Sequence, residues 1–282
     1  MSESTINSLI QLLDDPDKDV YDKVKDKLLE FGSTVIPKLE HEWQENDKNL
    51  IQSRAEEIIQ QIQFKSLFYR LQHWVNSSQK DLLEFWVFTT QLQFPNFNRT
   101  AYTKRLYKLA TEARKSIQLI NGDYEKIAAF NHFLFHVNGF KGNLKNYHSP
   151  NNSCLNFVMD SRKGNPLSLS LIYMYLSKHI GLPICGINMP RHFIVGYENE
   201  LMGDPVKFYI NPYRKGSILS RQDLSFFLKK ENIKEKSKYF APCGHVEIAK
   251  RMLSNLLYSY TFQGNKQKSK EVIKLLELFK QY

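Results

Sequence analysis

Residues 167–180 constrain the fold more than any other part of the chain. Leu167, Leu169, Leu171, Ile172, Tyr173, Met174, Tyr175, Leu176 and Ile180 leave no polar stripe. A helix that is apolar on all sides has no solvated face and must be wrapped by other elements. Its ends are marked in the sequence. Gly164-Asn165-Pro166 is a stop followed by a helix start, with proline at the first helical position, and Gly181-Leu182-Pro183 ends the helix sharply. Beyond it the apolar period falls to two, over residues 184–188, 192–197 and 206–210, with Met202-Gly203-Asp204 as the turn between the last two strands. The expected core is α+β, a small antiparallel sheet packed on a buried central helix, in a chain that is otherwise mostly helical.

The flanks carry helical periodicity. Asp14-Asp15-Pro16-Asp17 breaks a first apolar strip and offers an N-cap, Val20, Val24, Leu28 and Leu29 follow at helical spacing, and Gly32 closes that helix. Pro37 sits in the first turn of the next, lined by Ile36, Leu39 and Trp43. Separate helices are expected around Leu50–Ile62 and around Leu67–Val75, then over 82–92, 102–119 and 123–137, the last closed by Gly139. Residues 141–152 read as a polar loop and 153–160 as a short helix. Met252, Leu253, Leu256, Leu257 and Tyr260, then Gly264-Asn265, then Val272, Leu275, Leu276 and Phe279 make a terminal helical hairpin. The expected organisation is a helical section over 1–63, a helical lead-in plus core over 64–220 with its motifs in 150–220, and a helical tail over 221–282.

An apolar fraction of 42% in 282 residues supports packed cores rather than disorder. No apolar run approaches the ~18 residues of a membrane span. The N-terminus shows no secretory pattern, and three cysteines make no disulfide framework; together these point to the cytoplasm. Charge is uneven: residues 1–60 hold 7 Lys/Arg against 14 Asp/Glu, and residues 61–282 hold 32 against 15. A basic body can attract an acidic partner or nucleic acid. Against that, the lysines are spread out, and no basic cluster in the sequence is interleaved with stacking aromatics as in single-strand binders.

A buried helix, then a strand starting at His192, then a strand ending in Asn211 suits a thiol-nucleophile site. A thiolate gains from a helix N-terminus, a histidine takes its proton, and an Asp or Asn orients the histidine. The motifs Asn152-Ser153-Cys154-Leu155, Arg162-Lys163-Gly164-Asn165-Pro166-Leu167-Ser168-Leu169, Gly181-Leu182-Pro183, Met189-Pro190-Arg191-His192-Phe193 and Tyr209-Ile210-Asn211-Pro212-Tyr213 resemble, in combination, the transglutaminase-like core of the bacterial SirB regulator family. The resemblance covers roughly residues 65–265. The N-terminal Asp-Pro-Asp turn, Leu28-x-x-Phe31-Gly32 stop and Val35-Ile36-Pro37-x-Leu39 helix resemble a HEAT-type repeat, with a helical cap on the core as the other reading. The terminal hairpin resembles a tetratricopeptide unit.

By this resemblance the nucleophilic cysteine belongs at the helix start, where Pro166 stands, and the family's Asp is Asn211. His192 remains as a vestigial or working site residue, or else a satisfied structural one. Ser168 is the nearest hydroxyl but is rotated by about 200° from position 166, and Ser170 lies about one turn deeper. Arg191, Asn165, Pro166 and Cys154 are the candidate binding residues around the site; Cys154 is the thiol placed best to approach it, and Cys185 lies in a strand. His132 and His136, four apart, have no third ligand and make no metal site, and no cofactor motif is present. The implied function is a pseudoenzyme that binds a protein or peptide. Two alternatives stand beside it: an amide or ester hydrolase or acyltransferase with a relocated Ser or Cys, and a nucleic-acid-associated regulator.

Overall fold

The computed structural model describes residues 3–46, 48–198 and 204–281, so most of the turn expected at Met202-Gly203-Asp204 lies outside the described residues. The chain divides into two compact units, Met1–His73 and Trp74–Tyr282.

The first unit is helical. Helix α1 (Glu3–Gln11) leads to α2 (Lys18–Phe31), whose first turn is capped by the Asp17 carboxylate accepting from the Asp19 amide. Gly32, at φ 62°, ends α2, and a tight turn leads to α3 (Ile36–Glu45) with Pro37 in its first turn. Ile10, Leu13, Val24, Leu28, Leu39, Ala55, Ile58 and Ile62 share one buried cluster. The two helices expected over 50–75 are a single helix, α4 (Asn49–Asn76). Gln63-Phe64-Lys65-Ser66 holds neither glycine nor proline, so nothing interrupts the backbone hydrogen bonds there.

The second unit is built around the apolar helix. Helices α5 (Leu82–Gln93), α6 (Arg99–Ile117) and α7 (Asp123–Asn131) precede it. The last of these widens into a π-turn over His132–Val137, where the Asn138 amide reaches back five residues to the Phe133 carbonyl, before Gly139 at φ 71° turns the chain. The expected polar loop contains a short strand, β1 (Lys141–Gly142), paired in parallel with β2 (Lys163–Gly164), and a 3₁₀ turn over Pro150–Ser153. Between the two strands lies α8 (Leu155–Ser161). The apolar helix, α9 (Pro166–Ile180), follows with Leu169, Ile172, Tyr173 and Leu176 buried, as its composition requires.

Then come β3 (Ile184–Met189), β4 (His192–Glu198), β5 (Val206–Asn211) and β6 (Ser217–Leu219), an antiparallel sheet in sequential order. Periodicity gives no sign of β6, because three residues are too few to show alternation. Helix α10 (Arg221–Lys230), capped by Ser220 and Asp223 reciprocally, packs on one face of this sheet. The terminal pair α11 (His245–Phe262) and α12 (Lys266–Glu277) pack on each other, and α11 also contacts α5. No helix among the described residues is long and apolar enough to cross a membrane.

Candidate functional site

The start of α9 is closed by its own chemistry. The Asn165 side chain accepts from the Ser168 amide at 2.8 Å, and the Ser168 hydroxyl accepts from the Asn165 amide at 3.0 Å. This reciprocal box satisfies two of the helix's otherwise free amides. Pro166 has no amide hydrogen to leave free. Asn165 Nδ2 donates to the Ser153 hydroxyl at 2.8 Å, and Asn152 joins Asn143 and the carbonyls of Asn146 and Tyr147. Gly164 permits this compactness, since a Cβ there would lie 2.5 Å from Ser168 Oγ. Asn165, Pro166 and Ser168 are therefore brought together, as a cap. Ser168 is 2% exposed and its hydroxyl is committed to the Asn165 backbone, while the Ser170 hydroxyl donates to the Pro166 carbonyl at 2.8 Å.

Cys154 is fully buried, with its thiol 3.6 Å from the Pro150 carbonyl. Burial pushes its pKa up to about 12, so it is a neutral small hydrophobe at physiological pH.

His192 lies elsewhere. The β3–β4 hairpin pairs Met189 with His192 and Ile187 with Ile194, so these four side chains share a face. That face is the one buried against α10, in a cluster of Cys185, Ile187, Met189, Ile194, Leu224 and Leu228. The His192 ring meets the Phe227 ring of α10 edge-on, with centroids 4.5 Å apart. Helix α9 also contacts β3 and β4 but contributes nothing to this cluster, so it lies against the opposite face. The expected triad order of helix start, histidine and orienting residue is present along the chain, but His192 and the α9 N-terminus are on opposite sides of the sheet.

Asn211, one step beyond the pair Val195–Ile210, falls on the His192 face as a diagonal neighbour. Its carboxamide oxygen accepts from the Arg214 amide at 3.3 Å and caps the turn that follows. Among the described residues no hydrogen bond joins Asn211 to His192, and no hydroxyl or thiol bonds the His192 ring. Arg191, a candidate binding residue, is in the left-handed region at φ 62° and forms an ion pair with Glu231 at the end of α10. His132 and His136 stack on the π-turn with centroids 5.4 Å apart.

Burial lowers the His192 pKa, with Glu231 opposing and Arg251 and Arg214 adding to the effect. A depressed folded pKa gives stability that is present above about pH 6.5 and lost as pH falls below it. Thermal melts should therefore show a loss on going from pH 7 to pH 5 that His192→Phe diminishes; an unchanged pH slope in the variant contradicts the assignment.

Open space lies at the other end of α9. A cleft of about 910 Å³ is lined by Leu82, Trp86, Leu171, Met174 and Leu182, with Asp81, Glu198, His179 and His245 among its polar groups. The size suits a small ligand or a short peptide segment. Both histidines are fixed by Nδ1 donating to a carbonyl, His179 to Tyr175 at 2.8 Å and His245 to Lys80 at 2.5 Å, so each neutral ring keeps Nε2 as an acceptor. Sequence reading missed this cleft because Lys80, His179 and His245 are far apart in the chain and sit in no motif.

Comparison with known proteins agrees with the core. The family model of the transglutaminase-like superfamily matches residues 100–254, more than half of the chain. A UPF0162 protein of Xylella fastidiosa is 30% identical over 132 residues, covering 47% of this chain and 46% of that protein. A UPF0162 protein of Vibrio cholerae is 29% identical over 123 residues, 44% of each chain. The human F-box only protein 21 is 25% identical over 155 residues, 53% of this chain and 24% of that protein. The match thus spans less than half the length of each of these relatives. No solved structure matches the chain.

Proposed function

The chain belongs to the transglutaminase-like superfamily, and we propose that it acts there as a non-catalytic, protein- or peptide-binding regulatory module. The observation that carries this reading is the start of α9, where Pro166 takes the place of a nucleophile and the hydroxyls of Ser168, Ser170 and Ser153 are held in hydrogen bonds to Asn165 and Pro166. His192, packed on Phe227 across the sheet, is in no position to take a proton from that end of the helix. The cleft at the other end of α9, with an apolar floor and acceptor groups around it, is the place the reading assigns to the bound segment.

The purified protein is expected to release no ammonia from glutamine-containing peptides and to couple no fluorescent amine to them. Turnover that disappears on His192→Ala overturns the reading. Peptides selected on the immobilised protein are expected to bind at least tenfold more weakly to Met174→Lys, which places a charge in the cleft; selected peptides indifferent to that change would move the site elsewhere.

A further inference from the structure

We propose that a strip of rings, with Tyr147, Tyr258 and Phe262 exposed, and unpaired cations, from the β1–β2 pair beside the start of α9 to the outer face of α11, binds single-stranded nucleic acid by its phosphates and base faces. The rings form a continuous chain. Tyr213 meets Tyr147 at 6.1 Å between centroids, Tyr147 meets His148 at 5.1 Å, and His148 meets Phe262 at 4.3 Å and Tyr258 at 5.4 Å. Tyr258 and Phe262 are 58% and 64% exposed, one turn apart on α11. Large rings left this open on a folded surface mark a contact site.

The cations gather at the Tyr213 end. Lys141 and Lys163 are register partners on β1 and β2, and both are exposed. Gly142, next to Lys141, lies under the Tyr213 ring so closely that a Cβ would come within 2.5 Å of it. Arg214 and Lys215 follow Tyr213 directly, and Lys145 is two residues from Tyr147. None of these five cations has an ion-pair partner among the described residues. Asp160 is the one carboxylate between positions 126 and 197, and Arg105 and Tyr102 hold it. Positions 205–222 contain none. These elements therefore carry uncompensated positive charge, which selects a polyanion.

The rings decide which polyanion. An acidic peptide needs the cations alone, whereas the exposed rings of Tyr147, Tyr258 and Phe262 beside them offer bases something to stack on.

The test is fluorescence anisotropy of the full chain with labelled oligo-dT and oligo-U across about 50 to 200 mM salt. Binding is expected to weaken with salt at a log–log slope near −3, the value for four to five phosphate contacts on a single strand. Lys141→Glu with Lys163→Glu should flatten the slope as well as weaken binding. Tyr258→Ala and Phe262→Ala, both at exposed positions, should each weaken binding roughly tenfold while leaving the slope unchanged. The proposal fails if neither oligonucleotide binds. It also fails if the aromatic variants bind like the parent and poly-glutamate competes as well as oligo-U, which would assign the strip to an acidic protein.

Discussion

Trp86→Ala will lower the unfolding free energy by about 3–5 kcal/mol, the range for removing a buried large aromatic side chain. Trp86 is 2% exposed, and its indole nitrogen donates to the Ser153 carbonyl at 2.7 Å. Ser153 in turn receives Asn165 Nδ2 through its hydroxyl. Thr89 and Thr90 both donate to the Trp86 carbonyl, and Thr90 Oγ1 accepts from the Leu155 amide at 2.9 Å. One ring thus ties α5 to the segment that carries the α9 cap. Trp86→Phe keeps most of the apolar contact but leaves the Ser153 carbonyl without its donor, at a cost of about 1–3 kcal/mol. Urea denaturation of both variants checks the pair. A Trp86→Phe variant as stable as the parent would mean that the hydrogen bond adds nothing beyond packing.

The second large effect is chemical. Burial pushes the Cys154 thiol up to about 12, and Cys185 and Cys243 likewise to about 12, with Glu198 and Glu247 respectively adding to the shift. At pH 8 the thiolate fraction of each falls about a thousandfold below that of a free cysteine, and alkylation, which requires the thiolate, slows accordingly. Native protein treated with iodoacetamide should remain unlabelled where urea-unfolded protein takes up label at all three positions, as read by mass. Rapid native labelling of Cys154 would return it to consideration as a nucleophile. The same shift has a stability consequence. A folded pKa raised above the unfolded value gives stability present below about pH 8.5 and lost as pH climbs toward the folded value, so the protein should weaken in alkali.

Much of the fold is legible residue by residue. The apolar character of α9, its Asn165 cap and N1 proline, and the Gly181 stop are local facts, and the helix forms where they place it. Strands β3 to β5 follow from period-two runs. The readings that fail do so where the determining interaction is not local. A single helix over Asn49–Asn76 replaces the two expected around residues 50–62 and 67–75, because no glycine or proline between them ends the backbone hydrogen bonding. The left-handed Arg191 and its ion pair with Glu231 depend on where α10 returns, which no spacing around Arg191 encodes.

The sequence by itself determined that a buried helix starts with proline, and that a histidine and an asparagine follow it on successive strands. Only the tertiary structure decided that His192 faces α10 and not α9. The reason lies in the sheet. Residues 193–197 of β4 are buried throughout, because helices cover both faces, so hydrophobic alternation cannot tell one face from the other. The face is fixed by hairpin register, where a slip of one residue would reverse it, and the register is set by packing contacts from distant parts of the chain. The same holds for the strip of rings and cations. Lys141, Tyr147, Lys163, Tyr213 and Phe262 are scattered in sequence, and only the pairing of β1 with β2 and the course of α11 bring them side by side.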